Sequence, residues 1–415
     1  MDMYTQALGD PPGKTRLSHA APGWFLLGMR KVFIAGVGMT RFAKQPERNL
    51  KDLAAEAVRN ALADARLELK NVEAIYFANA VAGSITGQEM VRGQMTLRPL
   101  GVHTTPIINV ENACASAASA LNLAWLSVAS GQYDVVLALG AEKMTHPDKT
   151  RTFAAIGQAM DVESLGGVEA TSERSPLMDA YAESAREYMR ASGATAADFA
   201  AVVVKNQHNG ALNPLAQYGG EISIEQVLSA RVVVEPLTLY MCSPISDGAA
   251  AAVVVSQRRR GSRPVQIAAS VIGSGVPAGP DWRKGSALAA ERAYAVAGLG
   301  PRDVDMAELH DAAASAEVQL YEQVGFAAPC EGPGLIRDGA VNIDGRIPVN
   351  PSGGLTARGH PIGATGLAQI YEAVLQLREQ AGQRQVEGVK VALTQNGGGW
   401  LDGDNVAHSI HILVD

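Results

Sequence analysis

Residues 350–366 read NPSGGLTARGHPIGATG. One histidine, His360, stands between Gly359 and Pro361 at the entrance to an apolar, helix-patterned run over 364–381. Proline fits the first turn of a helix, and glycine lets backbone approach closely, so the histidine is held at a rigid turn. A second stretch, 109–126, reads NVENACASAASALNLAWL and has the same layout. Here Cys114 sits where the extended Pro106-Ile107-Ile108 gives way to a small-residue helix over 115–131. Each helix is followed by a buried-strand pattern, at 134–139 and at 389–394. The chain therefore reads as two similar halves. Packed back to back, they would bring both helix N-termini, and so Cys114 and His360, toward one centre.

The composition agrees with a large α/β core. The 415 residues are rich in Ala, Gly and Val and poor in aromatics. Further strands are expected at 32–37, 73–78, 249–255, 265–272, 304–309 and 406–414, with helices at 50–66, 178–192, 286–298 and 312–324. Such alternation argues a layered α/β architecture. Residues 145–235 break it with turn residues, methionines and short helical pieces, and read as an inserted loop domain. The expected division is an extension over 1–28, an N-terminal half over 29–260 and a C-terminal half over 261–415, with Met29 a possible biological start.

Other classes fall away. A net charge of −7 argues against nucleic-acid binding driven by bulk electrostatics. No apolar run approaches the ~20 residues needed to span a membrane. Cys114, Cys242 and Cys330 are widely spaced with no CxxC pair, which disfavours bound metal or a disulfide framework and suits a cytoplasmic location.

Four elements carry chemistry. A thiol at a helix N-terminus is expected to have a lowered pKa and to act as a nucleophile; the plain alternative is a buried cysteine packed as a small hydrophobe. His360 could be the base that activates it, or a helix cap. His310-Asp311 ends the strand expected at 304–309. Polar groups at a strand end are common at α/β active sites, although Asp311 could equally cap the next helix. Finally, TQNGGGW over 394–400 follows a strand, and its glycines could turn backbone N–H groups toward an oxyanion or form an ordinary turn.

In this order the elements resemble the thiolase superfamily over residues ~30–415, nearest to the thiolase domain of sterol carrier protein X and bacterial thiolase-like lipid-transfer proteins. Asn112-Ala113-Cys114-Ala115-Ser116 is similar to the nucleophile motif, and Asn213-Pro214-Leu215-Ala216 to the loop-domain segment. The run from Cys242 to Ala251 is similar to the return into the first half, His310-Asp311 to the histidine–aspartate motif, and Gly359-His360-Pro361 to the GHP motif. The resemblance implies two βαβαβαββ halves in a five-layer α-β-α-β-α arrangement. It implies a homodimer acting on acyl-CoA, with coenzyme A as co-substrate and no bound cofactor. Cys114 would be acylated, His360 would take its proton and His310 would polarise the other carbonyl. The N–H of Cys114 and those of glycines such as Gly397 and Gly398 would hold the oxyanion.

One part of the pattern is missing. Many thiolases carry a second cysteine in the last glycine-rich motif, and the sterol-carrier branch carries one after His-Asp; here these positions hold glycines and Ala312. The missing proton could come from water, from the substrate or from a tyrosine such as Tyr240, while Cys242 reads as structural. Ala312, Ala313 and Ala314 would leave room for a bulky acyl group unless Trp400 refills the space. Thiolase-like subunits of this kind often work with a small zinc-ribbon/OB-fold partner. The expectation is an acyltransferase cleaving or forming a C–C bond of a β-keto acyl-CoA. The alternatives are a retro-aldolase on the same fold, or an impaired lipid- or acyl-CoA-binding subunit. Lys149, Arg151, Lys205 and His208 are candidate contacts for the phosphates of CoA.

Overall fold

The computed structural model describes residues 29–165, 171–259, 263–277 and 283–415. The expected extension over 1–28 lies outside them. The first half runs β1 (Val32–Met39), α1 (Leu50–Ala65), β2 (Ala74–Ala78), β3 (Ile107–Val110), α2 (Ser116–Ala129), β4 (Val135–Glu142). After an insertion holding α3 (Leu177–Ser192) and α4 (Ala196–Ala211), it closes with β5 (Gly248–Ser256). The second half runs β6 (Val265–Ser274), α5 (Gly285–Ala297), β7 (Met306–Glu308), α6 (Ala314–Gln323), α7 (Thr365–Leu377), β8 (Val391–Gly398), β9 (Ala407–Val414).

The strands form one sheet in the order β3-β2-β4-β5-β1-β6-β9-β8-β7. Its two parts mirror each other. β2 pairs in parallel with β3 and β4, and β4–β5 and β5–β1 are antiparallel. Likewise β7–β8 is parallel, and β8–β9 and β9–β6 are antiparallel. The counterpart of β3 is reduced to a single parallel bridge, Val349 to Ala307. The duplication is real, but the second half is one strand short. The halves join where Phe33 and Ile34 pair with Gln266 and Val265.

Alternation along the strands builds the layers. Phe33, Leu137, Leu139 and Val253 face α1, whose buried residues Leu53, Ala57, Val58, Ala61 and Leu62 recur at helical spacing. Asn49 caps that helix with Asp52 in a reciprocal box. The alternate residues Ile34, Val136, Ala138 and Val254 face the opposite way, onto α2 and α7. Ile267, Ala392 and Leu413 of the second half enclose the same two helices. Ala269, Val271, Leu393 and Ile410 then pack outward with α5 and α6. Five layers result, with α2 and α7 at the centre. These two helices approach closely at Gly366, where a Cβ would fall 2.6 Å from the backbone nitrogen of Ala118. Only glycine permits that approach.

Candidate active site

Cys114 lies in a tight turn, Ala113–Ala115, that leads into α2. Ala113 adopts a left-handed φ of 47°, which costs a non-glycine residue about 1–2 kcal/mol. Its neighbours hold it there. Ala113 N donates to the Glu111 carboxylate at 2.6 Å, and Ser116 Oγ donates to Ala113 O at 2.6 Å while accepting from Asn112 N at 2.9 Å. Gly398, ending β8, presses on this turn: a Cβ there would lie 2.1 Å from Asn112 O.

The halves meet at the sulfur. His360 Nε2 is 3.3 Å from Cys114 Sγ, and Nδ1 is 2.7 Å from Thr365 Oγ1. The Thr365 hydroxyl donates its proton to Pro361 O at 3.1 Å. It therefore accepts from Nδ1–H, which leaves Nε2 bare and facing the thiol. His310 stands edge-on to His360, with ring centroids 5.1 Å apart. One ligand atom from each of Cys114, His310 and His360 lies within 4.8 Å of the others. Both ring nitrogens of His310 are buried without a protein hydrogen-bond partner.

The electrostatics differ from the expectation. Burial, reinforced by the charge of Glu142, pushes the Cys114 thiol up to about 12 rather than down. The helix N-terminus does not prevail because α2 begins two residues later and the sulfur is shielded from water. Burial also holds His360 well below the usual imidazole value, helped by the charges of His310 and Arg358. The same effect, with Arg358 and His408, takes His310 down to about 3. At neutral pH the pair rests as thiol and neutral imidazole.

Buried acids position the loops that carry Cys114, His310 and His360. Glu142, ending β4, accepts from Ala80 N (2.9 Å), Val81 N (3.2 Å), Ala82 N (2.9 Å), Asn79 Nδ2 (2.8 Å) and, across the halves, Gly363 N (2.9 Å). Burial still raises its pKa to about 6. Asp311 is no helix cap: it accepts from Leu355 N (2.7 Å), Thr356 Oγ1 (3.0 Å) and Asn206 Nδ2 (2.9 Å), tying His310 to the glycine turn before His360. Arg358, in the turn before His360, forms a buried pair at 2.9 Å with Glu308 at the end of β7. The sequence reading missed Glu142 and Thr365. The usable signal was a carboxylate closing an otherwise apolar strand, VVLALGAE, and a hydroxyl five residues beyond His360.

Cys114 and His360 line a cavity of about 1120 Å³ beneath the insertion. Met144, Ile156, Leu177, Tyr181 and Ile362 supply apolar wall, and Ala312 and Cys242 face it together. Trp400 does not refill the space beside Ala312; it packs against Tyr181, with ring centroids 5.1 Å apart. Gly399 reaches the cavity wall, whereas Gly397 packs against Asn405 and Gly398 against the nucleophile turn. Of the cations expected to meet phosphate, Lys149 lines the cavity, while Lys205 is buried and paired with Glu317 at 2.8 Å and so is not available. Arg151 donates to Ser84 O at 3.2 Å and His208 lies 3.6 Å from Glu221, both outside the cavity lining. Arg41, Lys44, Arg174 and Arg231, not singled out from sequence, join Lys149 there. Among the described residues no helix is long and apolar enough to cross a membrane.

Comparison with known proteins follows the same lines. Residues 32–258 match the thiolase N-terminal domain, and residues 280–413 match the thiolase C-terminal domain-like family. The acetyl-CoA acetyltransferase of Methanothermobacter thermautotrophicus is 39% identical over 89% of this chain and 97% of its own length. Benzoylsuccinyl-CoA thiolase subunit BbsB of Thauera aromatica is 39% identical over 92% of this chain and 98% of its own. Human sterol carrier protein 2 is 35% identical over 90% of this chain and 71% of its own. Among solved structures, the Ltp2–ChsH2(DUF35) aldolase superposes with a TM-score of 0.75 at 28% identity, covering 92% of this chain and 97% of that one. With both halves matched end to end and the duplicated sheet closing on a cysteine and two histidines, the chain belongs to the thiolase family of acyltransferases.

Proposed function

We propose that the chain cleaves a β-keto acyl-CoA by acyl transfer through Cys114, with coenzyme A as acceptor and an acyl group larger than acetyl. The observation that carries this is the 3.3 Å contact of a bare His360 Nε2 with the Cys114 thiol at the wall of the large cavity. His360 takes the thiol proton as sulfur attacks the ketone carbonyl, so the ion pair forms only as the reaction needs it. The oxyanion is held by N–H groups of Cys114 and of the glycines at 397–399, with Gly398 against the nucleophile turn. His310, neutral and with both nitrogens unpartnered, donates to the oxygen of the departing thioester enolate. The apolar wall and the small side chain of Ala312 favour a bulky acyl group. The basic residues of the cavity lining suit the phosphates of CoA.

A second reading, retro-aldol cleavage without an acyl-enzyme, is favoured by the likeness to the Ltp2–ChsH2(DUF35) aldolase. The relatives named as a subunit and as a two-component aldolase support a partner subunit, which on this reading is the small zinc-ribbon/OB-fold protein that the resemblance implies. Intact-protein mass spectrometry with a panel of β-keto and aromatic acyl-CoAs decides between the readings. Wild type should gain an acyl mass that free CoA discharges, and Cys114→Ala should gain none. Turnover without an adduct would transfer the assignment to the aldolase. Absence of both until a partner is added would make the subunit partner-dependent.

A further inference from the structure

Acylation of Cys114 by C–C cleavage creates a second demand. When sulfur bonds to the ketone carbon, the bond from that carbon to the α-carbon breaks, and its electron pair departs on the thioester as an enolate. The α-carbon must then receive a proton. The proton from sulfur sits on His360 Nε2, which faces the sulfur. Another donor must lie in the same cavity.

Few side chains qualify. Tyr240 and Tyr218 line the cavity but are 43% and 47% exposed. Lys44 and Lys149 belong to its solvent-facing rim. Cys242 is on the wall beside Ala312, but its thiol is turned to the backbone, donating to Thr238 O at 3.5 Å. Tyr181 is different. It is buried, and it lines the same cavity as Cys114, His360 and Ala312. Its ring is braced by Trp400 at 5.1 Å, and its hydroxyl neighbours the side chain of Asn405. Trp400 and Asn405 flank the loop after the glycine-rich end of β8, so the phenol is held in the cavity by the strand end that abuts the Cys114 turn.

We propose that Tyr181 is the general acid that protonates the α-carbon of the departing enolate, the role for which no second motif cysteine exists in this chain. The inference rests on the acyl-transfer reading given above. The balance closes within the cycle. The Tyr181 O–H bond breaks and the α-C–H bond forms. The resulting phenolate takes the proton of the incoming CoA thiol, and the CoA thiolate attacks the acyl-enzyme. His360 returns its proton to Cys114 as the acyl-CoA leaves. Burial keeps the phenol protonated between turnovers, yet a phenol remains a far stronger acid than the α-C–H of a thioester.

The test separates C–C cleavage from acyl transfer. Acylation of Cys114 by a simple acyl-CoA expels a thiolate, which needs no acid; acylation by a β-keto acyl-CoA expels a carbanion, which does. In single-turnover mass spectrometry, Tyr181→Phe is expected to slow adduct formation from the β-keto acyl-CoA about 100-fold. The same variant should change adduct formation from the simple acyl-CoA by no more than ~3-fold, since thiolate departure needs no proton. Asn405→Ala, which keeps the phenol but removes its neighbour, should slow only the first reaction, by a smaller factor. Equal losses in both reactions would mean a structural role and overturn the assignment. So would an unimpaired Tyr181→Phe, or loss of cleavage in Cys242→Ser instead. Failure of wild type to form an adduct from either donor would sink the acyl-transfer reading itself, and this one with it.

Discussion

Cys114 and His360 illustrate how burial sets the chemistry of a pair. Each group alone is disfavoured in its charged form, the thiol pushed up to about 12 and the imidazole held well below its usual value. The proton therefore stays on sulfur until an electrophile arrives, and reactivity resides in the 3.3 Å contact rather than in a standing thiolate. Iodoacetamide alkylation of Cys114 should then rise tenfold per pH unit from 7 to at least 10. An ordinary cysteine levels off near its pKa of ~8.5, and a plateau there would contradict the shielded-thiol picture. Thr365 is the weak point of the arrangement, because its hydroxyl selects the tautomer. Thr365→Val should lower the turnover number about 10-fold, one hydrogen bond's worth, with little change in KM. An equal fall in affinity would indicate a displaced loop instead.

At the scale of elements, Glu142 couples the end of β4 to the loop at 79–82 and to the turn after His360. Glutamine in its place keeps one acceptor but points an amide N–H₂ at backbone donors. Glu142→Gln should cost about 2–5 kcal/mol in urea melts at pH 7, from two or three stranded N–H groups. The pH dependence carries a sign. Because the folded carboxyl binds its proton more tightly, with a pKa of about 6 against 4.5 ordinarily, ionisation removes stability as pH rises from 4.5 to 6. Over that window the slope of unfolding free energy against pH should be more positive in the glutamine variant, by at most one proton. Identical slopes would place the titration elsewhere. This network also marks the limit of sequence reading. Helices over 50–65, 177–192 and 365–377 were legible because each presents one apolar face at helical spacing. β3 was seen only as an extended fragment, because at four residues it is too short to show a period. Lys205 read as a candidate phosphate contact because nothing local tells that Glu317, 112 residues away, will pair with it. Cys114, His310 and His360 were legible as residue types in special turns; the balance of burial against the helix N-terminus was not, since it depends on everything packed around the sulfur.

The whole molecule leaves one edge of its sheet open. At the β7 end, Val349 bridges the terminal strand and covers it. At the other end, β3 is the last strand of the nine and no described strand pairs along its outer side, the Gln94 side chain alone reaching Ile107 O at 3.0 Å among the described side chains. The side chains near it are apolar: Ile108 is 42% exposed, and Met90, Val91 and Met95, in and before the short helix that packs on β3, are 78%, 48% and 49% exposed. An open edge flanked by exposed methionines invites aggregation unless another chain covers it. A second copy can do so with closed symmetry, because an antiparallel pairing of β3 with itself about a twofold axis satisfies both edges and stacks the apolar patches. The expected assembly is a dimer paired in this way through β3. It lies near the Cys114 turn, since Val110 ends β3 four residues before Cys114. Loss of the dimer should therefore reach the active site. Light scattering of the full chain is expected to give twice the monomer mass. Ile108→Lys combined with Met95→Glu should shift it to monomer and lower Cys114 acylation by at least about 10-fold, an effect of roughly 1.4 kcal/mol on the barrier. A wild-type monomer at micromolar concentration, or a double variant that stays dimeric, would remove β3 as the interface and leave the methionine patch to a different partner.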